Sequence, residues 1–243
     1  MVAKRALVVG ATSGIGMEVA KALAAGGWTV GIAGRREDRL RAVAGVIGGG
    51  CAAYRRIDVD SPDAPRLLEE LIMEMGGMDL YFHCSGIGFQ NRMLDPAKEL
   101  ATVETNAVGF ASMVGAAFRY FADKGGGGRI AAVSSIAGTK GLGAAAAYSA
   151  TKRFQNTYLE SLDQLSRSRG LGIRVTDIRP GFVATDLIKG GGYPMQMDAA
   201  RVAEKIVSAV EGGKSVKVID WRYRLLTQLW GLCPRALWVR LRV

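Results

Sequence analysis

The 243-residue sequence is short of the residues that staple or metallate a fold, with three cysteines and one histidine. Cys51, Cys84 and Cys233 stand far apart, which excludes a disulfide framework and a zinc-ligand set; no metal site is expected, and a reducing compartment is. Proline is scarce too, at six residues, and the 49% hydrophobic and 22% charged composition excludes wholesale disorder. No cleavable leader is expected, because Lys4 and Arg5 run straight into Ala6, Leu7, Val8 and Val9. The expectation is a cytoplasmic protein, with peripheral membrane attachment left open. Acidic residues number 22 against 32 basic ones, a formal charge of +10 that favours anionic partners. Outside the last segment the arginines are not interleaved with aromatics, so nucleic acid is set aside.

What is abundant is glycine, at 33 residues. Glycine costs backbone entropy and concentrates where a chain turns sharply or nears a ligand. The cluster Gly10, Gly14 and Gly16 reads as a site, whereas Gly48 to Gly50, Gly125 to Gly128 and Gly190 to Gly192 read as loops. Apolar runs and helical periodicities alternate along the chain. Strands are expected at Ala3 to Val9, Trp28 to Ala33, a segment ending near Ile57 and Asp58, Asp79 to Cys84, Arg129 to Ser134, Ile173 to Ile178 and Ser215 to Ile219. Between them, helices are expected at Ile15 to Ala25, around Leu40 to Ile47, at Leu67 to Met75, Ala147 to Arg169 and Met195 to Val210. Ala97 to Phe121 holds either two successive helices or one bent helix. This order predicts an α/β fold, a single Rossmann-like doubly wound domain with a mostly parallel sheet and helices on both faces. Residues 1–220 are assigned to a dinucleotide-binding and catalytic domain.

The segment Gly10, Ala11, Thr12, Ser13, Gly14, Ile15 and Gly16 joins the first strand to the first helix, where backbone amides and a helix N-terminus can meet a pyrophosphate. A tight structural turn is the alternative, since the spacing differs from G-x-G-x-x-G. After the second strand come Arg35 and Arg36 with no acidic residue to hold an adenosine ribose. Arginine there can pair with a 2′-phosphate, which favours NADP(H) and leaves NAD(H) as the second choice. Arg35 is taken as the main contact and Arg36 as the second, against solvated helix-start roles for both. Asp58 could recognise an adenine amino group or simply cap a loop.

Ser135 lies 13 residues before Tyr148, which lies four before Lys152. A helix starting near Ala147 puts Tyr148 and Lys152 on one face, and a strand end can bring Ser135 opposite. Random placement would yield about 0.3 such tyrosine–lysine pairs and about 0.015 triplets, so the combination carries the weight. The bland alternatives are a serine cap, a packed ring and a solvated lysine. With this triplet and the glycine turn, the chain resembles the short-chain dehydrogenase/reductase family over residues 4–185, with the order continuing to about 219.

The resemblance implies that Ser135, Tyr148 and Lys152 are catalytic, and that Asn106 is a fourth catalytic residue holding a water-linked proton route. It also implies cofactor contacts at Gly86 and in the loop with Pro180, Gly181 and Thr185, and a homodimer or homotetramer. Tyr148 would exchange a proton with a small carbonyl or alcohol substrate, Lys152 would stabilise its phenolate and contact the nicotinamide ribose, and Ser135 would orient the substrate. The departure lies at His83, Cys84, Ser85 and Gly86, where the family has Asn-Asn-Ala-Gly. His83 reads as a structural substitution at a strand end. Between Gly138 and Ala147 there is no charged clamp, and Leu142 to Ala147 with Phe182 and Leu187 suggests an apolar wall. An apolar or weakly polar substrate is therefore expected.

Residues 221–243 hold five arginines, no acidic residue and three of the four tryptophans. Gly231 and Pro234 should divide this extension into two short helical pieces, too interrupted to span a membrane. It could rest on an anionic membrane surface, pack on its own domain or a partner subunit as a lid, or stay solvated.

Overall fold

The computed structural model describes residues 4–186 and 193–241. Seven strands form one sheet: β1 (Arg5–Val9), β2 (Thr29–Gly34), β3 (Cys51–Arg56), β4 (Leu80–His83), β5 (Arg129–Val133), β6 (Arg174–Arg179) and β7 (Val216–Val218). Their order is β3-β2-β1-β4-β5-β6-β7, and every neighbouring pair is parallel. The central strands are apolar on both faces, as a parallel sheet covered on both sides requires; Ala6, Leu7, Val8 and Val9 are all fully buried.

The helices are α1 (Gly14–Ala25), α2 (Glu37–Ile47), α3 (Ala64–Glu74), α4 (Pro96–Val103), α5 (Phe110–Asp123), α6 (Ala146–Ser168), α7 (Ala199–Glu211), α8 (Trp221–Leu232) and α9 (Arg235–Trp238). One core, containing Leu7, Tyr81, Leu68, Phe110, Phe121 and Leu159, fills the space between the sheet and the α3, α5 and α6 face. The other, with Val8, Phe82, Val19, Leu40 and Ile206, lies under α1, α2 and α7. Each fully buried leucine or phenylalanine contributes about 1.5–3 kcal/mol relative to exposure.

Several boundaries differ from the sequence expectation. Between α4 and α5 the chain does not break but widens into a π-helical turn, Glu104–Gly109. Gly109 is forced there by close packing, since a Cβ would lie 2.7 Å from the Val59 carbonyl oxygen. The expected helix at Met195 begins only at Ala199, capped by the Asp198 carboxylate, which accepts from the Arg201 amide at 3.0 Å. Met195 has φ +57°, a left-handed conformation that excludes it from a helix, and Met197 instead forms an isolated parallel bridge with Val183. The extension does form two helical pieces, with the break at Cys233 and Pro234; Gly231 stays inside α8.

Candidate active site

The strand order reverses between β1 and β4, and in an open parallel sheet the crevice beyond that reversal is where ligands bind. β1 ends in Gly10, at φ +89°, whose amide donates to the Ala33 carbonyl at 2.8 Å. A Cβ on Gly10 would lie 2.6 Å from the Ser85 nitrogen, and one on Gly16 2.3 Å from the Gly10 oxygen. At Gly10 and Gly16 the turn is thus pressed against the end of β4 and against itself, with no room for a side chain. At its far side a Cβ on Gly14 would meet Thr185 Cγ2 at 2.9 Å, so Thr185 closes over the start of α1. Ile15 packs its side chain on the core under α1. Ser13 stands at the N-cap without a side-chain cap bond, leaving the first amides of α1 open to an anion. A cleft of about 640 Å³ lies here, lined by Thr12, Ser13, Gly14, Arg39, Thr185 and Asp186 among others.

The rim of this cleft is basic, but its composition differs from the expectation. Arg36 donates to Thr12 Oγ1 at 2.7 Å and Ser13 Oγ at 2.8 Å, placing its guanidinium against the turn. Arg35 is exposed, and its carbonyl accepts from Arg56 Nε at 3.3 Å. Arg39 pairs with Asp186 at 3.0 Å, with Arg36 a further 3.6 Å contact. The Arg39 hydrogen bond and the two guanidinium charges hold the Asp186 carboxyl below its ordinary range. Arg39 and Arg56 were missed because they come from the first turn of α2 and the end of β3, where local pattern reads them as solvated. Asp58 lies two residues beyond β3, and its carboxylate accepts from the Asp60 amide at 3.3 Å, the loop-capping role.

At the chemical end, α6 carries Tyr148 and Lys152 one turn apart. Lys152 Nζ sits 5.7 Å from the Tyr148 ring centroid and donates to the Val133 carbonyl at 3.0 Å and Gln155 Oε1 at 2.9 Å. Burial lowers its pKa to about 8, with Cys84 and Asp177 acting in the opposite sense. Burial also raises the Tyr148 phenol, and the neighbouring Ser135 side chain offsets part of that shift. Ser135 follows β5 in extended backbone, and its Oγ accepts from the Ala137 amide at 3.1 Å. It therefore caps the short turn Ile136–Gly138 and keeps its own proton for a partner on the Tyr148 side. Ser134 is committed elsewhere: it donates to the Asp177 carboxylate and accepts from Asn156 Nδ2 at 2.8 Å.

Asn106 is fully buried in the π-helical turn. Its side chain clamps the loop after β4, accepting from the Ile87 amide at 2.9 Å and donating to the Ile87 carbonyl at 2.7 Å. Its backbone oxygen accepts from Gln155 Nε2 at 2.9 Å. Lys152 and Asn106 are thus bridged by the Gln155 amide at the place where a water-linked route was expected. Gln155 was missed in the sequence, although an amide three residues after Lys152, on the same inward face of α6, was the available signal. Gly88 was missed too: a Cβ there would lie 2.5 Å from the Tyr148 ring, so this glycine lets the loop cover the tyrosine. At Gly86 a Cβ would stand 3.2 Å from Asn106 Oδ1 and 3.6 Å from Lys152 Nζ.

His83 is buried, hydrogen-bonded through Nδ1 to the Tyr81 hydroxyl at 2.8 Å and packed edge-on to Phe110. Burial first, and the Lys152 charge second, lower its pKa to about 3, so it is a neutral packing group. Burial pushes the Cys84 thiol up to about 12, which makes it inert near neutral pH. Pro180 is buried, with its carbonyl accepting from the Ile136 amide at 3.1 Å, and Gly181 lies against the Tyr223 ring, which a Cβ would approach to 2.3 Å.

The short chain dehydrogenase family model matches residues 4–191. This chain is a short-chain dehydrogenase/reductase. It is 32% identical to an uncharacterized oxidoreductase of Myxococcus xanthus over 241 residues, covering 96% of this chain and 94% of that one. A short-chain type dehydrogenase/reductase from Mycobacterium marinum superposes with a TM-score of 0.81 at 27% identity, over 95% of this chain and 96% of that one. An actinorhodin polyketide ketoreductase variant solved with NADPH gives 0.76 at 26% identity, over 89% and 95%. The short-chain dehydrogenase/reductase is thus an oxidoreductase whose fold binds a nicotinamide cofactor. The closely packed glycines of the turn, the open N-terminus of α1 and the neighbouring arginines fit such a dinucleotide.

Proposed function

We propose that this oxidoreductase uses NADP(H) to interconvert the carbonyl and alcohol forms of a small apolar or weakly polar substrate. The observation that carries this reading is the convergence of Ser135, Tyr148 and a buried Lys152 on one side of the crevice. The bound nicotinamide would supply or accept the hydride. Gly10, Thr12, Ser13, Gly14, Ile15 and Gly16 would hold its pyrophosphate end, with Thr185 above them. Arg36, Arg35 and Arg56 would face an adenosine 2′-phosphate, and the solved ketoreductase with NADPH supports that choice over NAD(H). Ser135 would donate to the substrate oxygen while Tyr148 gives or takes its proton. The Lys152 ammonium would favour the phenolate form of a tyrosine that burial alone would keep protonated. Gln155 holds the lysine in place, leaving its remaining N–H for the ribose.

The expected apolar wall supports a weakly polar substrate. Ala147 is buried, Leu142 and Ala144 to Ala146 are half-buried, and Phe182 stacks on Tyr193 at 4.6 Å. Leu187 lies outside the described residues. For assembly as a homodimer or homotetramer, Val108, Phe154 and Leu165 are exposed apolar side chains that a second copy would cover. The test is NADPH and NADH oxidation by the purified chain across aliphatic, aromatic and acyl-thioester ketones, run beside Tyr148→Phe. NADPH-dependent turnover lost in the variant is expected; a chain that binds NADPH yet turns over no carbonyl or alcohol would instead be a nucleotide-binding regulatory protein.

A further inference from the structure

Helix α8 is apolar on two opposite sides, and only one of them is used by the fold. On the inner side Tyr223 is buried; its hydroxyl accepts from the Phe182 amide at 3.2 Å and donates to the Pro194 carbonyl at 3.0 Å. Trp230 meets Trp238 edge-on at 5.4 Å, and Trp238 Nε1 donates to the Gly141 carbonyl at 2.8 Å. Lys140 Nζ adds a bond to the Cys233 carbonyl at 2.9 Å. The extension is therefore anchored to the two loops that flank the proposed substrate wall.

On the outer side Trp221, Leu225, Leu229 and Leu232 recur at the spacing of a single helical stripe, and they are 72%, 50%, 57% and 81% exposed. At about 3.6 residues per turn, Arg222 and Arg224 fall on either edge of this stripe. Beyond the break, Leu237 and Val239 continue the exposed apolar surface, at 54% and 66%. Residues 221–243 contain five arginines and no acidic side chain, and of the five Arg222 is paired with Asp220 at 3.0 Å. A second copy of the chain docking symmetrically here would oppose two arginine-edged stripes, whereas anionic headgroups satisfy the arginines while the leucines enter the lipid boundary. No described helix is long and apolar enough to cross a membrane.

We propose that the outer face of α8 and α9 is a docking surface for an anionic lipid bilayer, seating the loops around the substrate wall at the membrane surface. The docking itself does not depend on the catalytic reading, while the placing of the substrate wall at the membrane rests on it. The test is sedimentation of the full chain with phosphatidylcholine vesicles, with and without phosphatidylserine, for the parent, Leu225→Gln/Leu229→Gln and Arg224→Gln/Arg235→Gln. The parent should bind the anionic vesicles at least about tenfold more tightly than the neutral ones, and each double variant should lose about tenfold. Melting temperature and turnover of a water-soluble ketone should stay at parent values. Equal or absent binding by the parent, or variants that bind as the parent does, would overturn the proposal. So would a fall in solution mass of the leucine variant, which would assign the stripe to a second copy.

Discussion

The two ends of the crevice use basic residues in opposite ways. Around the glycine turn, Arg35, Arg36, Arg39 and Arg56 are all exposed, so their charges are screened by water. At the chemical end a single ammonium, Lys152, is buried among Val133, Gln155 and the Tyr148 ring, and its pKa is displaced to about 8. Exposed charge of the first kind adjusts affinity in small steps, whereas buried charge of the second kind sets the protonation of its neighbours. The contrast teaches where a single substitution should matter.

The largest effect is expected from Tyr148→Phe, which keeps the ring against Gly88 but removes the proposed proton donor. Turnover should fall by about 10²–10⁴-fold, with NADPH affinity by fluorescence titration unchanged. Retained turnover would reduce the buried end to packing. Gln155→Leu comes next. It leaves the Asn106 carbonyl without its donor, at a cost of about 1–3 kcal/mol in stability, and takes an acceptor from Lys152. With the ammonium less supported, the lysine pKa drops further below about 8 and the alkaline limb of the rate profile moves to lower pH. Gln155→Glu should move it the other way; identical profiles in all three proteins would leave Gln155 as filler.

Lys152 also predicts how stability depends on pH. Its folded pKa of about 8 lies below its ordinary 10.5, so between those values the unfolded chain binds more protons and stability rises with pH. The slope from this one group is at most about 1.4 kcal/mol per pH unit. Denaturant titrations of the cofactor-free protein at pH 8 and 10 should show this rise, and Lys152→Met should remove it. The smallest steps belong to the rim. Arg35→Ala and Arg36→Ala should each cut the preference for NADPH over NADH by no more than about tenfold, less at high salt. A loss of several hundredfold from either would show that this end also depends on one group.

Much of the architecture was legible because it is written locally. The apolar run Ala6 to Val9 with its glycine turn, and the four-residue step from Tyr148 to Lys152, each lie within one strand or helix. Boundaries slipped where tertiary contacts intervened, as at the π-helical turn packed on Val59 and at Met195, whose left-handed backbone defers α7. The role of Arg39 was hidden because its partner Asp186 is 147 residues away. His83 was read as structural from its neighbours in sequence, and burial against Phe110 supplies the physical cause.

The sequence by itself determined the order of strands and helices along the chain and the glycine turn after β1, because local periodicity and turn residues suffice for these, and its spacing nominated Ser135, Tyr148 and Lys152. Only the tertiary structure decided that Gln155 bridges Lys152 to Asn106, that Ser134 serves Asp177 rather than the site, and that α8 buries Tyr223 while turning Leu225 and Leu229 outward. Those outcomes depend on which distant side chains converge and on how much water each loses, and neither quantity has a local signature.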